Sequence, residues 1–154
     1  MKAAIFTIDT GMYRAKEESA AAAALRRVLE QVGFEVRAAG VLPQERELVS
    51  SVLTRLADTG AVGLVLTTGA VGCERDDCAA GALEDVAERL IPGIPEALRA
   101  YNLRYSKKAM LESMAAGIRG KTMMLNLPES AKTAREDLEY ILPEVVQVVE
   151  SISL

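Results

Sequence analysis

Apolar residues along this chain follow two rhythms. Four short runs are almost continuously apolar, at residues 2–9, 34–42, 62–68 and 121–127. Such runs mark strands buried on both faces of a parallel sheet. Between them, apolar residues recur every three or four positions, as on one face of a helix. Residues 20–32 open with five alanines, carry Leu25, Val28, Leu29 and Val32 on one stripe, and stop at Gly33. This predicts a helix with a glycine stop. Pro43, Gln44 and Glu45 open a second helix to residue 58, with Leu48, Val49, Val52, Leu53 and Leu56 inward. A third is expected over residues 80–90, and two short ones over 95–101 and 107–116 flank a polar elbow. Residues 13–19 read as a polar linker and 117–120 as a turn. Ser130 is placed to cap a helix over 131–142, and Pro143 to start a final one over 144–152. Strands alternating with helices predict an α/β three-layer sandwich with a mostly parallel sheet, one domain over residues 1–154.

In open α/β sheets, ligands bind beyond the carboxyl ends of the strands. Three loops fall there: Asp9-Thr10-Gly11, residues 67–77 and residues 126–130. The central one runs from Thr67 and Thr68 through Gly69 and Gly72 to Glu74, Arg75, Asp76 and Asp77. Glycines let backbone approach a ligand, a helix start favours an anion, and carboxylates suit a divalent cation such as Mg²⁺ beside phosphates. A glycine-rich turn and acids near a helix start also arise without any ligand. The loop is not a Walker A motif, because no Lys-Ser or Lys-Thr follows the glycines.

Composition narrows the field. A formal net charge of −4 argues against a nucleic-acid surface built on bulk positive charge. No apolar run reaches the roughly 18 residues of a membrane span, and Met1-Lys2 leads straight into a strand pattern without a signal-peptide core. A cytoplasmic protein without membrane contact is expected. The absence of histidine removes Ser-His-Asp and Cys-His chemistry. Cys73 and Cys78 make a poor zinc site by themselves and read as ordinary thiols, with a redox pair as the alternative.

The order Thr67-Thr68-Gly69-x-x-Gly72 followed by Arg75-Asp76 resembles the loop of the molybdopterin adenylyltransferase family, the bacterial MogA/MoaB-like proteins and the G domain of gephyrin. The likeness continues through residues 91–94 (IPGI) and 96–99 (EALR), Ala109-Met110-Leu111, residues 116–122 (AGIRGKT) and Asn126-Leu127-Pro128-x-Ser130. It implies a molybdopterin-binding-like fold whose ligands are molybdopterin and Mg-ATP, and transfer of AMP to the pterin's phosphate. It implies Asp76 as catalytic and metal-associated, with Glu45 as a second metal carboxylate. For substrate it implies Asp9, Thr10, Thr67, Thr68, Gly69, Gly72, Arg75, Ser106, Asn126, Pro128 and Ser130. A homo-trimer is implied as well. The apolar last helix (Val145, Val146, Val148, Val149) is open to that reading or to packing on its own sheet.

The chain departs from the family pattern at several of these positions. Ala70 and Val71 replace a glycine and a threonine, Cys78-Ala79 a Thr-Pro, and Glu129 the glycine of Pro-Gly-Ser. Gln44 stands beside Glu45 where a second acid is usual. The expected function is an enzyme of molybdenum-cofactor biosynthesis. The alternative is a catalytically weak or inactive member that binds or delivers molybdopterin or a related pterin.

Overall fold

A computed structural model describes residues 1–154. In chain order the elements are β1 (Lys2–Ile8), α1 (Thr10–Ala15), α2 (Ala20–Gln31), β2 (Glu35–Leu42), α3 (Arg46–Asp58), β3 (Leu64–Thr68) and α4 (Ala79–Val86). They continue with β4 (Arg89–Leu90), α5 (Gly93–Leu103), a 3-10 turn (Lys107–Leu111), β5 (Ala116–Arg119), β6 (Thr122–Leu127) and α6 (Ala131–Ile152). One six-stranded sheet has the order β2-β1-β3-β6-β5-β4. The first four run parallel, and β5 and β4 add an antiparallel edge. The pair α2 and α6 packs together, as does the pair α3 and α4. The result is a three-layer α/β sandwich.

The continuous apolar runs become the central strands because every residue of β3 and of β6 is buried. Leu64, Val65, Leu66, Met123, Met124 and Leu125 join one core cluster with Leu25, Leu29, Leu53 and Leu83 from the helices. Each such side chain contributes roughly 1.5–3 kcal/mol on full burial. Parallel pairing in register brings Thr68 opposite both Thr7 and Leu127. The carboxyl ends of β1, β3 and β6 therefore lie side by side, and their loops share one edge. No helix is long and apolar enough to cross a membrane.

Five local expectations are corrected. The expected linker over 13–19 is helical at its start: Asp9 Oδ1 accepts from Met12 N at 2.9 Å and caps α1, which runs through Ala15 to its cap Lys16 at φ 56°. The helix expected to residue 90 stops at Val86. Ala87 turns extended, and Arg89–Leu90 pairs with β5, leaving Leu90 exposed. The second of the two short helices is only a 3-10 turn, and the stretch after it is β5, returned onto β6 at Gly120 with φ 58°. Gly117 in that strand is required, since a Cβ there would lie 2.8 Å from the Arg89 carbonyl oxygen. Pro143 does not break the last helix, which is one element of 22 residues. An internal proline costs about 3 kcal/mol. Burial of Leu138, Ile141, Val145 and Val149 along one stripe outweighs it. Leu48, expected inward, is exposed on α3.

Candidate functional site

The strand-end loops surround a cleft of about 600 Å³ lined by Ala70, Val71, Gly72, Pro128, Glu129 and Ser130, with Asp77, Glu112 and Thr133. Its floor is built by hydrogen bonds from buried side chains to backbone and to one another. The Thr68 hydroxyl donates to the Pro128 carbonyl, and Asn126 Nδ2 donates to Thr67 Oγ1 at 2.8 Å. Asn126 Oδ1 accepts from Ala115 N at 3.0 Å. These bonds lock the end of β3 to the end of β6 and to the approach of β5. Above them the chain turns sharply. Gly69 sits at φ 90°, and a Cβ there would lie 2.8 Å from the Ile8 carbonyl oxygen. Ala70 follows at φ 57°, in the left-handed region that costs a non-glycine residue roughly 1–3 kcal/mol. The strain falls on Ala70, and Val71 is free of it. Gly72 leaves room for Asp77, whose Oδ2 accepts from Glu74 N at 2.9 Å and closes the loop.

The backbone N–H groups of Ala70, Val71, Gly72 and Cys73 have no acceptor within the protein. Neither do those of Glu129, Ser130, Ala131 and Lys132 at the start of α6. Ser130 Oγ accepts from Thr133 N at 3.0 Å and caps the helix. Unpaired N–H groups and a helix N-terminus border the same cleft, an arrangement suited to an anion. The charged side chains lining it are all acidic: Asp77, Glu112 and Glu129. Burial pushes the Glu112 carboxyl up, and Arg99 draws it back only in part.

A second cavity of about 600 Å³ adjoins the first and shares Glu112 and Thr133 with it. Tyr101, Tyr105, Ser106 and Lys132 line it. Behind Asn102 lies Asp137, fully buried, with its Oδ2 accepting from Asn102 Nδ2 at 2.9 Å and its Oδ1 unpartnered. Burial raises this carboxyl to about 6; repulsion from Glu112 and Glu136 adds to the shift, and the Asn102 bond opposes it.

Over residues 4–147 the chain matches the family described as "Probable molybdopterin binding domain". The chain belongs to this family. It is similar to the molybdopterin adenylyltransferase of Helicobacter pylori (strain ATCC 700392 / 26695), 35% identical over 112 residues covering 73% of this chain and 64% of that protein. The Escherichia coli (strain K12) molybdopterin adenylyltransferase is 35% identical over 101 residues, 66% of this chain and 52% of that protein. The chain thus spans between about half and two thirds of the curated relatives' length. Among solved structures, the molybdopterin biosynthesis enzyme MoaB from Thermus thermophilus superposes with a TM-score of 0.85 at 34% identity, covering 97% of this chain and 96% of that one. A molybdopterin biosynthesis protein from Mycobacterium abscessus reaches 0.91 at 24% identity over 99% and 96% of the two chains, a likeness of fold.

The residues that resemble this family's site fall into three groups. Gly72, Pro128 and Ser130 line the first cavity and Ser106 the second. Thr67, Thr68 and Asn126 lie beneath, fully buried with their polar atoms engaged as described, and Gly69 forms the turn above them. Arg75, Asp76 and Glu45 are exposed on the rim, and Asp9 and Thr10 stand next to them, half-buried. Gln44 ties this rim together. Its Oε1 accepts from Thr10 N at 3.1 Å, its N donates to Thr10 Oγ1 at 2.8 Å, and its Nε2 donates to the Asp76 carbonyl at 3.3 Å.

The donor set does not amount to a magnesium site. No three His, Cys, Asp or Glu side chains come together, and the amide next to Asp76 turns a donor, not an acceptor, toward it. Asp77 is not a first-turn helix acid, because α4 begins at Ala79. Glu112, Thr133, Tyr101 and Tyr105 were not foreseen as site residues. Glu112 follows the 3-10 turn, and the bond from Ser113 N to the Val71 carbonyl at 2.6 Å draws this segment onto the loop. Its one sequence signal is a lone acid among apolar neighbours.

Proposed function

We propose that this chain acts in molybdenum-cofactor biosynthesis by binding molybdopterin, its phosphate held in the first cavity, and adenylylating that phosphate with ATP. The observation that carries the reading is the pair of unpaired backbone N–H sets, at residues 70–73 and 129–132, five of whose residues (Ala70, Val71, Gly72, Glu129 and Ser130) line one cleft. Family membership supplies the ligand, and the relatives named molybdopterin adenylyltransferase supply the reaction. A phosphate oxygen of molybdopterin attacks the α-phosphorus of ATP, the P–O bond to the β-phosphate breaks, and pyrophosphate leaves. Such a transfer needs positioning and charge stabilisation more than a protein nucleophile. The loop amides hold the acceptor phosphate, Gln44 fixes the rim that carries Asp76, and Asp76 is the catalytic carboxylate.

A second reading, a pterin binder without turnover, draws on one specific observation: the amide Gln44 beside Asp76, with no acidic cluster around it. One assay separates the two. Pyrophosphate release from ATP in the presence of molybdopterin is expected from the wild-type chain, and Asp76→Asn should lower it on the order of a hundredfold or more while leaving thermal unfolding unchanged. Molybdopterin binding without pyrophosphate release would establish the binder, and no binding would overturn both. We place the chain, as a single domain over residues 1–154, in the cytoplasm as a homo-trimer. The apolar groove lined by Ile91, Ile94, Tyr140 and Val148 supports such a contact. A monomer mass by light scattering would remove the trimer.

A further inference from the structure

Three neighbouring loops at the carboxyl edge of the sheet are joined by one side chain. Gln44 follows β2, Thr10 follows β1, and Asp76 lies between β3 and α4. The polarity of the Gln44 amide is fixed at both ends. The Thr10 N–H can only donate, so Oε1 faces it, at 3.1 Å. The Asp76 carbonyl can only accept, so Nε2 faces that, at 3.3 Å. Main-chain donors anchor the first two loops as well, from Gln44 N to Thr10 Oγ1 at 2.8 Å and from Asp9 N to the Leu42 carbonyl at 2.9 Å. Only a side chain of this length with an acceptor and a donor spans the gap. Asparagine is one carbon short, and glutamate has no proton to give at neutral pH. The bond to Asp76 uses its carbonyl, which leaves the carboxylate of this exposed residue out of the network.

The same amide is poorly suited to a divalent cation. Mg²⁺ takes oxygen ligands in a near-octahedral set that includes one or two carboxylates. Here the Gln44 oxygen is taken by Thr10, an N–H faces the Asp76 loop, and no three acidic or thiol side chains gather. We propose that Gln44 is a positioning residue whose amide holds the Asp76 loop in place without a metal, and that this rim, free of nucleotide, binds no divalent cation. Its bearing on turnover rests on the adenylyl-transfer reading. An amide where a second acid is usual exchanges a metal ligand for a hydrogen-bonded staple, and the rim keeps its shape before any ligand arrives.

Two variants separate the roles, with thermal unfolding to check that both fold. Gln44→Met keeps the length and removes both bonding atoms. Gln44→Glu keeps the acceptor, loses the donor and adds a charge. The probe is Mn²⁺ in nucleotide-free protein, followed by the electron paramagnetic resonance of the free ion. Wild type and Gln44→Met should leave it free up to about 1 mM, and Gln44→Glu should bind it at least about tenfold more tightly, through a new carboxylate near Asp76. Wild-type binding below about 100 µM that Asp76→Asn removes would overturn the inference, as would a Gln44→Glu chain that binds no better than wild type. The Thr10 amide loses its acceptor in Gln44→Met and should exchange with solvent several-fold faster; unchanged exchange would show that the staple is not formed. In the pyrophosphate assay Gln44→Met should lower kcat about three- to tenfold, as for one lost hydrogen bond, with KM for molybdopterin within about twofold. An unchanged kcat removes the positioning role. A wild type that releases no pyrophosphate ends the adenylyl-transfer reading, and the Mn²⁺ titration and Thr10 exchange still decide this inference.

Discussion

Two walls border the cleft and are held in different ways. Residues 67–72 and 126–130 continue two fully buried parallel strands and are fixed by buried side-chain bonds: Thr68 to Pro128, Asn126 to Thr67, Asn126 to Ala115. Residues 102–113 leave α5, pass through a 3-10 turn and reach the cleft by backbone contacts to Val71 and Arg99. The first wall offers main-chain N–H groups, which bind any anion of suitable size. The second offers side chains, and these can discriminate. Where a generic part of a ligand is held by backbone and a distinctive part by side chains, the scaffold can stay constant while preference changes.

The first wall is the one that substitution should damage most. Gly69→Ala places a Cβ 2.8 Å from the Ile8 carbonyl at a backbone angle that only glycine takes freely, and should destabilise the chain by about 2–4 kcal/mol. Chemical denaturation measures this. A loss below half a kilocalorie would mean that the loop yields easily and is not the rigid side of the comparison.

Behind the second wall, on α6, lies a pH-dependent weakness. The Asp137 carboxyl rises from its ordinary 3.8 to about 6 through burial, so the folded chain holds that proton more tightly than the unfolded one. Its contribution to stability is fully present below about pH 4 and is lost as the pH rises through 6, with a difference of ~1–3 kcal/mol. Asp137→Asn keeps an oxygen for Asn102 Nδ2 and should flatten the decline between pH 4 and 6. Denaturation midpoints across that range should show it, and an unchanged slope would place the titrating group elsewhere.

A smaller effect sharpens the contrast at the ligand. Ala70→Gly with Val71→Thr and Glu129→Gly relieves the left-handed Ala70, adds a hydroxyl and removes a carboxylate from the first cavity. Pterin-phosphate affinity should rise from several-fold to about a hundredfold, read by calorimetry. No gain would mean that the native loop is already fitted to its ligand.

The first wall was legible in sequence and the second, Ser106 apart, was not, for a physical reason. Continuous apolar runs such as LVLTT and TMMLNL have one stable home, a strand covered on both faces. Their register then dictates which loops meet. The antiparallel edge carries no such pattern: β4 has two residues, both exposed, and β5 has four. Apolar spacing over 83–90 fits a helix as well as a helix followed by an edge strand, and tertiary pairing decides. Asp9 illustrates the same limit in a single residue, read as a strand end and found also as the cap of α1. Gly72 and Asp77 were visible as loop residues, yet their mutual packing was not. Glu112 follows a 3-10 turn where the spacing predicted a helix over 107–116.

The central claim is that loop and helix-start amides hold the ligand's phosphate, and amide chemical shifts test it most directly. In the ¹⁵N-labelled chain titrated with molybdopterin, the N–H signals of Ala70, Val71, Gly72, Ala131 and Lys132 should move together with one dissociation constant, while those of Gly60 and Ala61, before the start of β3, stay still. Shifts confined to other residues, or none in the 70–72 and 131–132 amides at saturation, would contradict the account.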